Sequence, residues 1–389
     1  MGISIMKKPL YQLKQPQDII RQFTPNWFAM VMGTGVVALI LPEFANGHQY
    51  VWQFAQYLWL FNTLLFTLFS VLYLLRWIIY PTEAKQIFKH PSMSLFLGTI
   101  PMGLATIING LLKFGLPLYG DLALNIAHFL WYVDVTLAVL IGIAVPFFMF
   151  SQQQHQLHSM TAMWLLPIVA CEVAATSGGL LIHYLPADTQ SLAILLGSYV
   201  LWGMSVLPAF AVLTILMLRL ALHQLPAKEL AITGWLALGP IGTGALALLV
   251  LGAEGAPLLQ HFGLGQLGEF LHMAGLFSSF ILLGFGLWWF AIAVLITRSH
   301  LRTDLPFNLG WWGLTFPLGV FTLAVLNLAQ QSQIGFIHSI GLGFAMLLIG
   351  LWLLVMFKTL QGMYRGNLFF SPCLKSFLEN HPVALKNAD

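Results

Sequence analysis

Ten stretches of this chain are each long and apolar enough to cross a membrane as a helix. A helical span needs roughly 20 mostly apolar residues, and the stretches run approximately over 26–42, 54–79, 95–112, 123–150, 161–185, 191–218, 232–252, 270–296, 308–329 and 334–357. Only 7% of the 389 residues are charged and 59% are hydrophobic, whereas a soluble domain carries about 25% charged residues. The predicted fold class is an all-α membrane protein with ten transmembrane helices, and a soluble or disordered chain is excluded.

The basic residues predict how these spans are oriented. With ten spans, 15 of the 16 basic residues fall on the side of the two termini, and one, Lys113, falls on the other side. Because basic loops mark the cytoplasmic side, we expect both termini in the cytoplasm and the protein in the plasma (cell inner) membrane. The predicted organisation is a cytoplasmic N-terminal tail over 1–23, a ten-helix domain over 24–360 and a cytoplasmic C-terminal tail over 361–389.

Several classes of function are disfavoured by the same sequence. A net charge of +3 offers no basic stripe for nucleic acid, and two cysteines are too few for a disulfide framework. The histidines in or near the spans, His183, His272 and His338, show no paired-ligand pattern for a metal or haem. We therefore expect no cofactor, no metal and no catalytic residues. A membrane-embedded redox enzyme is kept as a distant alternative.

The odd-numbered stretches differ from the even-numbered ones in their proline, glycine and hydroxyl residues. Pro101, Pro167, Pro240 and Pro317 follow one another at intervals of 66, 73 and 77 residues, as in a repeated helical hairpin. A proline inside a span frees a backbone carbonyl, which must find a partner in another helix or in water. We expect five hairpins around a central pore, with the odd helices kinked and pore-lining and the even ones facing lipid. The alternative, in which small residues only permit close helix packing, stays open.

Polar and small residues on the odd stretches are the candidate pore-lining and substrate-contacting positions. They are Thr34, Gly35, Pro101, Thr106, Asn109, Thr176, Ser177, Pro240, Thr243, Thr315 and Pro317. Hydroxyls, amides and the N–H groups of broken helices can bind anions without a fixed cation. Taken singly, such a hydroxyl is more often a helix residue bonded to its own backbone than a ligand. Lys113 is expected to attract anions into the outer mouth.

Two carboxyl groups are expected within the membrane. Glu172 lies five residues after Pro167, and an ionisable group at that depth is a functional candidate by default. We expect it to be protonated or to titrate during transport, which makes it the candidate for proton coupling; a neutral acid bonded to a neighbouring helix is the alternative. Asp134 lies in an even stretch, where we expect a structural role.

Five segments, in order along the chain, resemble the tellurite-resistance/dicarboxylate transporter family. They are residues 26–35 (NWFAMVMGTG), 101–103 (PMG), 165–169 (LLPIV), 239–242 (GPIG) and 311–317 (WWGLTFP). The family includes bacterial tellurite-resistance proteins, fungal malate permeases and sulfite exporters, and the slow-type anion channels of plants. The resemblance covers about residues 24–360. It implies ten helices around one pore per subunit and assembly as a homotrimer.

The resemblance also implies a gate and a function. In the family a phenylalanine of the ninth helix closes the pore, and Phe316 is the position that fits here, with a packing aromatic as the alternative. The implied function is transport of small anions: dicarboxylates such as malate or succinate, sulfite, chloride, nitrate or tellurite-type oxyanions. A channel gated by Phe316 and a proton-coupled dicarboxylate or sulfite transporter that uses Glu172 both remain open.

Overall fold

The computed structural model describes residues 9–13, 15–45, 48–301 and 305–380, and these form helices and connecting loops with no strand among them. Ten helical segments are long and apolar enough to span a membrane, as predicted. Numbered as spans 1 to 10, they are Pro25–Phe44, Gln49–Ile79, Ser94–Tyr119, Asp121–Ser151, Ala162–Ile182, Thr189–His223, Lys228–His261, Gly265–His300, Leu309–Ser332 and Gly335–Arg365.

The odd and even spans are built differently. Each even span is one uninterrupted α-helix of 31 to 36 residues. At about 1.5 Å per residue, such helices exceed the roughly 30 Å hydrocarbon core. Each odd span begins with a 3₁₀ segment and then continues as an α-helix; the α-helical parts begin at Phe28, Thr99, Leu166, Leu238 and Phe316.

The four regularly spaced prolines of the odd spans lie at this change of helix type, whereas Pro257, further along span 7, lies inside its α-helix. Pro167 and Pro317 lie at the second position of their α-helices, and Pro101 and Pro240 at the third. The first turn of an α-helix tolerates proline, because its N–H groups have no partner within the helix. The four prolines therefore lie at the start of the α-helical parts, and the kinking of the odd helices stays a prediction. Span 1 makes the same change of helix type without a proline at this junction.

Burial separates the ten spans into two layers. The most apolar windows of the odd spans are 78–89% buried, whereas those of the even spans are only 22–33% buried. The even spans expose large side chains such as Leu64, Phe147 and Phe277, which suits contact with lipid. The odd spans therefore form the inside of the molecule and the even spans its outside.

The five odd spans close into a ring. Span 1 packs against spans 3 and 9, span 5 packs against spans 3 and 7, and span 7 packs against span 9. Each of spans 2, 4, 6 and 8 lies against the two odd spans that flank it in sequence, and span 10 lies against spans 9 and 1. We call the side with the N-terminal ends of the odd spans the first face, and the opposite side the second face.

Tryptophan side chains tie the outer layer to the inner ring. Every even span sends one indole N–H to an acceptor on an odd span, at donor–acceptor distances of 2.9–3.3 Å. The pairs are Trp59 to Ile107 O, Trp131 to Ala174 O, Trp202 to Gly244 O, Trp289 to Gly234 O and Trp352 to Thr34 Oγ1. Composition alone did not indicate this role for tryptophan.

The described segments before span 1 and after span 10 pack on the first face. The buried Arg76 guanidinium, at the end of span 2, donates to the Phe23 carbonyl and to the Ser371 hydroxyl. Arg21 donates to both carboxylate oxygens of Glu83, a pairing that raises the pKa of Arg21. Span 10 continues to Arg365, beyond the predicted start of the C-terminal tail at 361, and a short helix, Pro372–Asn380, follows it.

Candidate functional site

The second face opens into a wide cavity of about 320 Å³ inside the ring. All five odd spans contribute to its wall through their C-terminal halves, which shows that they run in the same direction. Its lining residues are Leu39, Glu43, Asn109, Leu112, Lys113, Thr176, Leu180, Tyr184, Leu246, Val250, Leu323, Leu326, Asn327 and Gln330. Tyr184 lies just beyond span 5; burial, and to a lesser degree the Glu254 carboxylate, raises its pKa, so its hydroxyl remains a hydrogen-bond donor.

A narrow cavity of about 20 Å³ lies nearer the first face, again among all five odd spans. Its wall is mainly apolar and includes Met32, Leu166, Leu236, Trp312 and Pro317. A third cavity, of about 340 Å³, opens on the first face. The narrow and first-face cavities share the lining residues Phe96, Met163, Thr233, Leu309 and Gly310. The cavities thus follow one another through the ring, with a closed layer between the wide and the narrow one.

Phe316 is buried at the start of the α-helical part of span 9, before the residues of this span that line the wide cavity. Its side chain is 3% exposed, and it is adjacent to Pro317, which lines the narrow cavity. Leu323 and Asn327, which line the wide cavity, are seven and eleven residues further along, a spacing that places all three on one face of an α-helix. Phe321, the other phenylalanine of span 9, instead packs its ring against Phe344 of span 10. Phe316 therefore shares the face of span 9 that lines the cavities.

Most of the predicted hydroxyl groups are bonded to the backbone of their own helix. Thr106, Thr176, Ser177 and Thr315 each donate to a carbonyl three or four residues earlier, at 2.7–3.3 Å. The Thr34 hydroxyl accepts the indole N–H of Trp352. Among these, only Thr176 lines one of the cavities. The four donors therefore follow the alternative that the sequence left open, in which a hydroxyl bonds to the backbone of its own helix.

Thr243 differs from the other hydroxyl residues. Its Oγ1 is buried and has no hydrogen-bond partner. Thr243 precedes Leu246 and Val250, which line the wide cavity, by three and seven residues, so the three share one face of span 7. Its hydroxyl therefore lies in the closed layer with its hydrogen-bonding capacity unused.

The small residues and prolines of the prediction have packing roles at several points. A Cβ at Gly35 would collide with the side chains of Thr106 and Asn62, so glycine there allows Asn62 of span 2 to donate to the Thr106 hydroxyl at 3.1 Å. Pro101 and Pro240 are buried outside the cavity walls, whereas Pro317 lines the narrow cavity. Asn62 was missed from the sequence, although an amide inside an oily span was a signal for it.

Lys113 and Asn109 meet in the wide cavity as neighbours on span 3. Lys113 lies in a π-helical turn, Leu111–Gly115, a form that often occurs at functional sites. Its Nζ donates to the Leu39 carbonyl at 3.0 Å and lies 3.9 Å from a Glu43 carboxylate oxygen. Glu43 and Asn327, which also line this cavity, were not among the predicted residues.

Glu172 lies in the wall of the ring and lines none of the cavities. Its carboxyl oxygens are fully buried without a hydrogen-bond partner. The Ser205 hydroxyl of span 6 is beside this carboxyl, but it donates to the Ile168 carbonyl at 2.9 Å. A Cβ at Gly244 of span 7 would stand 3.6 Å from Glu172 Oε2. The side chain therefore occupies the junction of spans 5, 6 and 7.

Asp134 is the second buried carboxyl group, and neither of its oxygens has a hydrogen-bond partner. It lies one turn after Trp131, which donates to Ala174 of span 5, so the same face of span 4 carries both residues. No hydrogen bond of the Asp134 carboxyl group therefore supports the structural role that we expected from the sequence.

The charges of the described residues keep the predicted asymmetry. Lys113 is the one basic residue near the second face, and the others lie on the first face or at the span ends there. Lys7, Lys8, Lys14, Arg302 and Lys386 lie outside the described residues. Within the described ranges, no three His, Cys, Asp or Glu residues are grouped so that they could hold a metal ion.

The fold defines a multi-pass helical membrane protein whose inner ring holds cavities on both faces. Comparison with known families then identifies it: residues 22–360 match the family model described as "SLAC1: Voltage-dependent anion channel". Because this match covers most of the chain, the protein belongs to the SLAC1 family, and the resemblance to the tellurite-resistance/dicarboxylate transporters is confirmed. Anion transport is the activity of this family.

Individual relatives are transport proteins. A sulfite efflux pump of Arthroderma otae is 36% identical over 354 residues, which covers 90% of this chain and 93% of that protein. An uncharacterized transporter of Methanocaldococcus jannaschii is 30% identical over 359 residues, with 90% and 96% covered. The malic acid transport protein of Schizosaccharomyces pombe is 22% identical over 355 residues, with 90% and 81% covered.

Proposed function

We propose that this protein carries small anions through its inner ring and that Phe316 is the gate. The observation that carries the proposal is the wide cavity, which all five odd spans line and which ends at the closed layer containing Phe316. Lys113 is the one basic side chain in its wall. An anion that enters from the second face therefore meets a cation first and an aromatic barrier next.

The rest of the route can stabilise an anion without a buried cation. The five α-helical parts of the odd spans begin near the narrow cavity, and the N-terminal end of an α-helix carries partial positive charge. The free Thr243 hydroxyl adds a donor in the closed layer. Such a route selects only weakly among anions, by their size and by the free energy needed to remove their water. Of the predicted pore-lining residues, we propose that four contact the anion directly: Asn109, Thr176, Thr243 and Pro317.

The relatives narrow the substrate class. One group is named for sulfite efflux and another for malic acid transport. We propose that the principal substrate is sulfite or a C4-dicarboxylate such as malate or succinate. Chloride, nitrate and tellurite-type oxyanions are secondary candidate substrates. A liposome flux assay across this set identifies the substrate.

We also propose where the protein lies and how it assembles. The basic residues of the first face favour the cytoplasm for that face, and the plasma (cell inner) membrane for the protein. The ring closes within one chain, so each protomer of the proposed homotrimer has its own pathway. Outer spans that expose apolar side chains are available for lipid and for neighbouring protomers.

The test of the gate is replacement of its aromatic ring. In Phe316→Ala this barrier loses its aromatic ring, and we expect anion conductance to rise at least tenfold in planar bilayers or in voltage-clamped cells. Phe277→Ala, at a lipid-facing position that is 68% exposed, is the matched control and should conduct like the parent. If a folded, surface-expressed Phe316→Ala protein stays as silent as the parent, Phe316 is not the gate.

A proton-coupled transporter is the second candidate, and the buried Glu172 carboxyl favours it. A carboxyl group without a hydrogen-bond partner in a membrane interior is costly to ionise, so a change in its protonation would alter the packing of spans 5, 6 and 7. For Glu172→Gln we expect the dependence of uptake on external pH to flatten. Uptake with an unchanged pH dependence in the variant excludes coupling through Glu172.

A further inference from the structure

We infer that the wide cavity holds a binding site for a small oxyanion, formed by Lys113, Asn109 and Asn327. The inference rests on the proposed function, because it gives the transported anion a resting place before the closed layer. It goes further by naming the side chains that hold the anion, the chemical class that they select and the residue that weakens the site.

Lys113 supplies the charge of this site. Its ammonium group has three N–H donors, and one of them is used by the Leu39 carbonyl. Glu43 lies at 3.9 Å, within ion-pair distance but beyond a hydrogen bond. Two donors of the ammonium group therefore remain available to a ligand in the cavity.

Asn327 presents a donor from the opposite wall. Its Oδ1 accepts a hydrogen bond of 2.7 Å from Gln331 Nε2, and Gln331 also donates to the Leu249 carbonyl at 3.1 Å. These two bonds fix the Asn327 amide with its oxygen towards Gln331. The end of this side chain left for the cavity is its NH₂ group.

Asn109 presents a second amide donor, one turn from Lys113 on span 3. Its Oδ1 is buried and has no partner, whereas the residue lines the cavity. The amide therefore meets the cavity through its nitrogen. The three residues together offer one ammonium group and two amide groups, all of them donors.

This set of donors determines the class of ligand. Donors on spans 3 and 9 are separated across the cavity, so an anion with several acceptor oxygens can satisfy more of them than a halide with one centre. Glu43 carries the opposite charge beside Lys113 and reduces the attraction for any anion. The site is thus suited to a small oxyanion such as sulfite or nitrate, held with moderate affinity, as transport requires.

The site also lies on the element that carries the gate. Asn327 and Phe316 are eleven residues apart on the same face of span 9, and spans 3 and 9 are each in contact with span 1 but not placed side by side in the ring. Eleven residues correspond to about 16 Å along an α-helix, so an oxyanion held by Lys113 and Asn327 rests near the mouth of the wide cavity, on the second-face side of the closed layer.

The experiment measures equilibrium binding of sodium nitrate, sodium sulfite and sodium chloride to the purified full-length protein in detergent, by calorimetry at constant ionic strength. The expected result for the parent is saturable binding of both oxyanions, at least tenfold tighter than chloride. Lys113→Gln and Asn327→Leu should each weaken oxyanion binding about tenfold, the usual effect of losing one hydrogen bond to a charged group. Glu43→Gln should tighten it severalfold.

Two further variants keep the test decisive. Lys113→Arg retains the charge and should retain binding, which separates loss of the site from loss of the fold. Lys89→Gln removes an exposed cation of the first face and should bind like the parent. Equal binding of chloride and nitrate, or unchanged binding in Lys113→Gln, overturns the inference. Because binding and flux are measured separately, a failed Phe316 test would leave this result standing.

Discussion

The hydroxyl groups of the inner spans fall into two groups, those that donate to a backbone carbonyl of their own helix and those that do not. Thr106, Thr176, Ser177 and Thr315 have used their protons within their own helices, so they can only accept further hydrogen bonds. Thr243 has not, and its burial makes the unused hydroxyl costly. A costly polar group is kept where function needs it, which makes Thr243 the hydroxyl most suited to contact an anion in transit.

Replacing Thr243 by valine tests this role, because valine has nearly the same shape and no hydroxyl. We expect Thr243→Val to lower anion flux into liposomes severalfold while its thermal stability equals or exceeds that of the parent, since an unpartnered buried donor is removed. Thr322→Val is the matched control: Thr322 is equally buried and donates to the Leu318 carbonyl of its own helix. A Thr243→Val protein with parental flux would rule out the contact.

At the level of whole helices, two kinds of segment are joined by a repeated bond. The outer spans are continuous α-helices with apolar surfaces, and the inner spans change from 3₁₀ to α geometry near the first face. An indole N–H from every outer span reaches the inner ring. In a membrane interior such bonds have little competition from water, so they fix how each outer helix is rotated against the ring.

Two adjacent tryptophans of span 8 provide a test of these bonds. Trp289 is buried and donates to the Gly234 carbonyl at 2.9 Å, whereas Trp288 is 47% exposed. We expect Trp289→Phe to reduce stability by about 1 kcal/mol, from the lost hydrogen bond, and Trp288→Phe to have a much smaller effect. Thermal unfolding in detergent, followed by the retention of the monodisperse elution peak, compares the two. Equal shifts would show that indole bonding does not stabilise the ring.

Across the whole molecule, two barriers lie in series between the wide cavity and the first-face cavity. The closed layer with Phe316 is one. The other is the narrow cavity itself, of about 20 Å³, where Phe96, Met163 and Leu309 line both it and the first-face cavity. Large apolar side chains at a constriction oppose the passage of ions by excluding water. The ring is therefore open to the second face and closed to the first.

Two barriers in series predict a more-than-additive response to their removal. Phe316→Ala alone should raise conductance, and the double variant Phe316→Ala with Met163→Ala should raise it severalfold more, whereas Met163→Ala alone should stay near the parent because Phe316 still closes the ring. Single-channel recording in planar bilayers distinguishes the three. A Phe316→Ala conductance that Met163→Ala does not increase would mean that only one barrier limits the flow.

Much of this architecture was predictable because hydropathy is a local property of the chain. Ten apolar stretches became ten spans, and the difference between oily even stretches and small-residue odd ones became the difference between outer and inner layers. The positions of the prolines were also readable, but not their effect. Whether a proline interrupts an α-helix or begins one depends on the geometry of the preceding turn, which here is 3₁₀ and which the sequence pattern does not specify.

The contacts among the side chains of the candidate site, in contrast, were mostly not predictable from the sequence. The sequence by itself identified the inner spans, Lys113 as the cation of the second face and the set of hydroxyl residues. Only the tertiary structure decided which of those residues meet. It shows that Thr243, unlike the backbone-bonded hydroxyl residues, has no hydrogen-bond partner, and that Glu172 lies in the wall of the ring beside Gly244. It also shows three polar residues that the sequence analysis did not select: Glu43, Asn62 and Asn327. The physical reason is that apolarity and charge belong to each residue, whereas a hydrogen-bond partner or a shared cavity depends on how separate helices are rotated and packed.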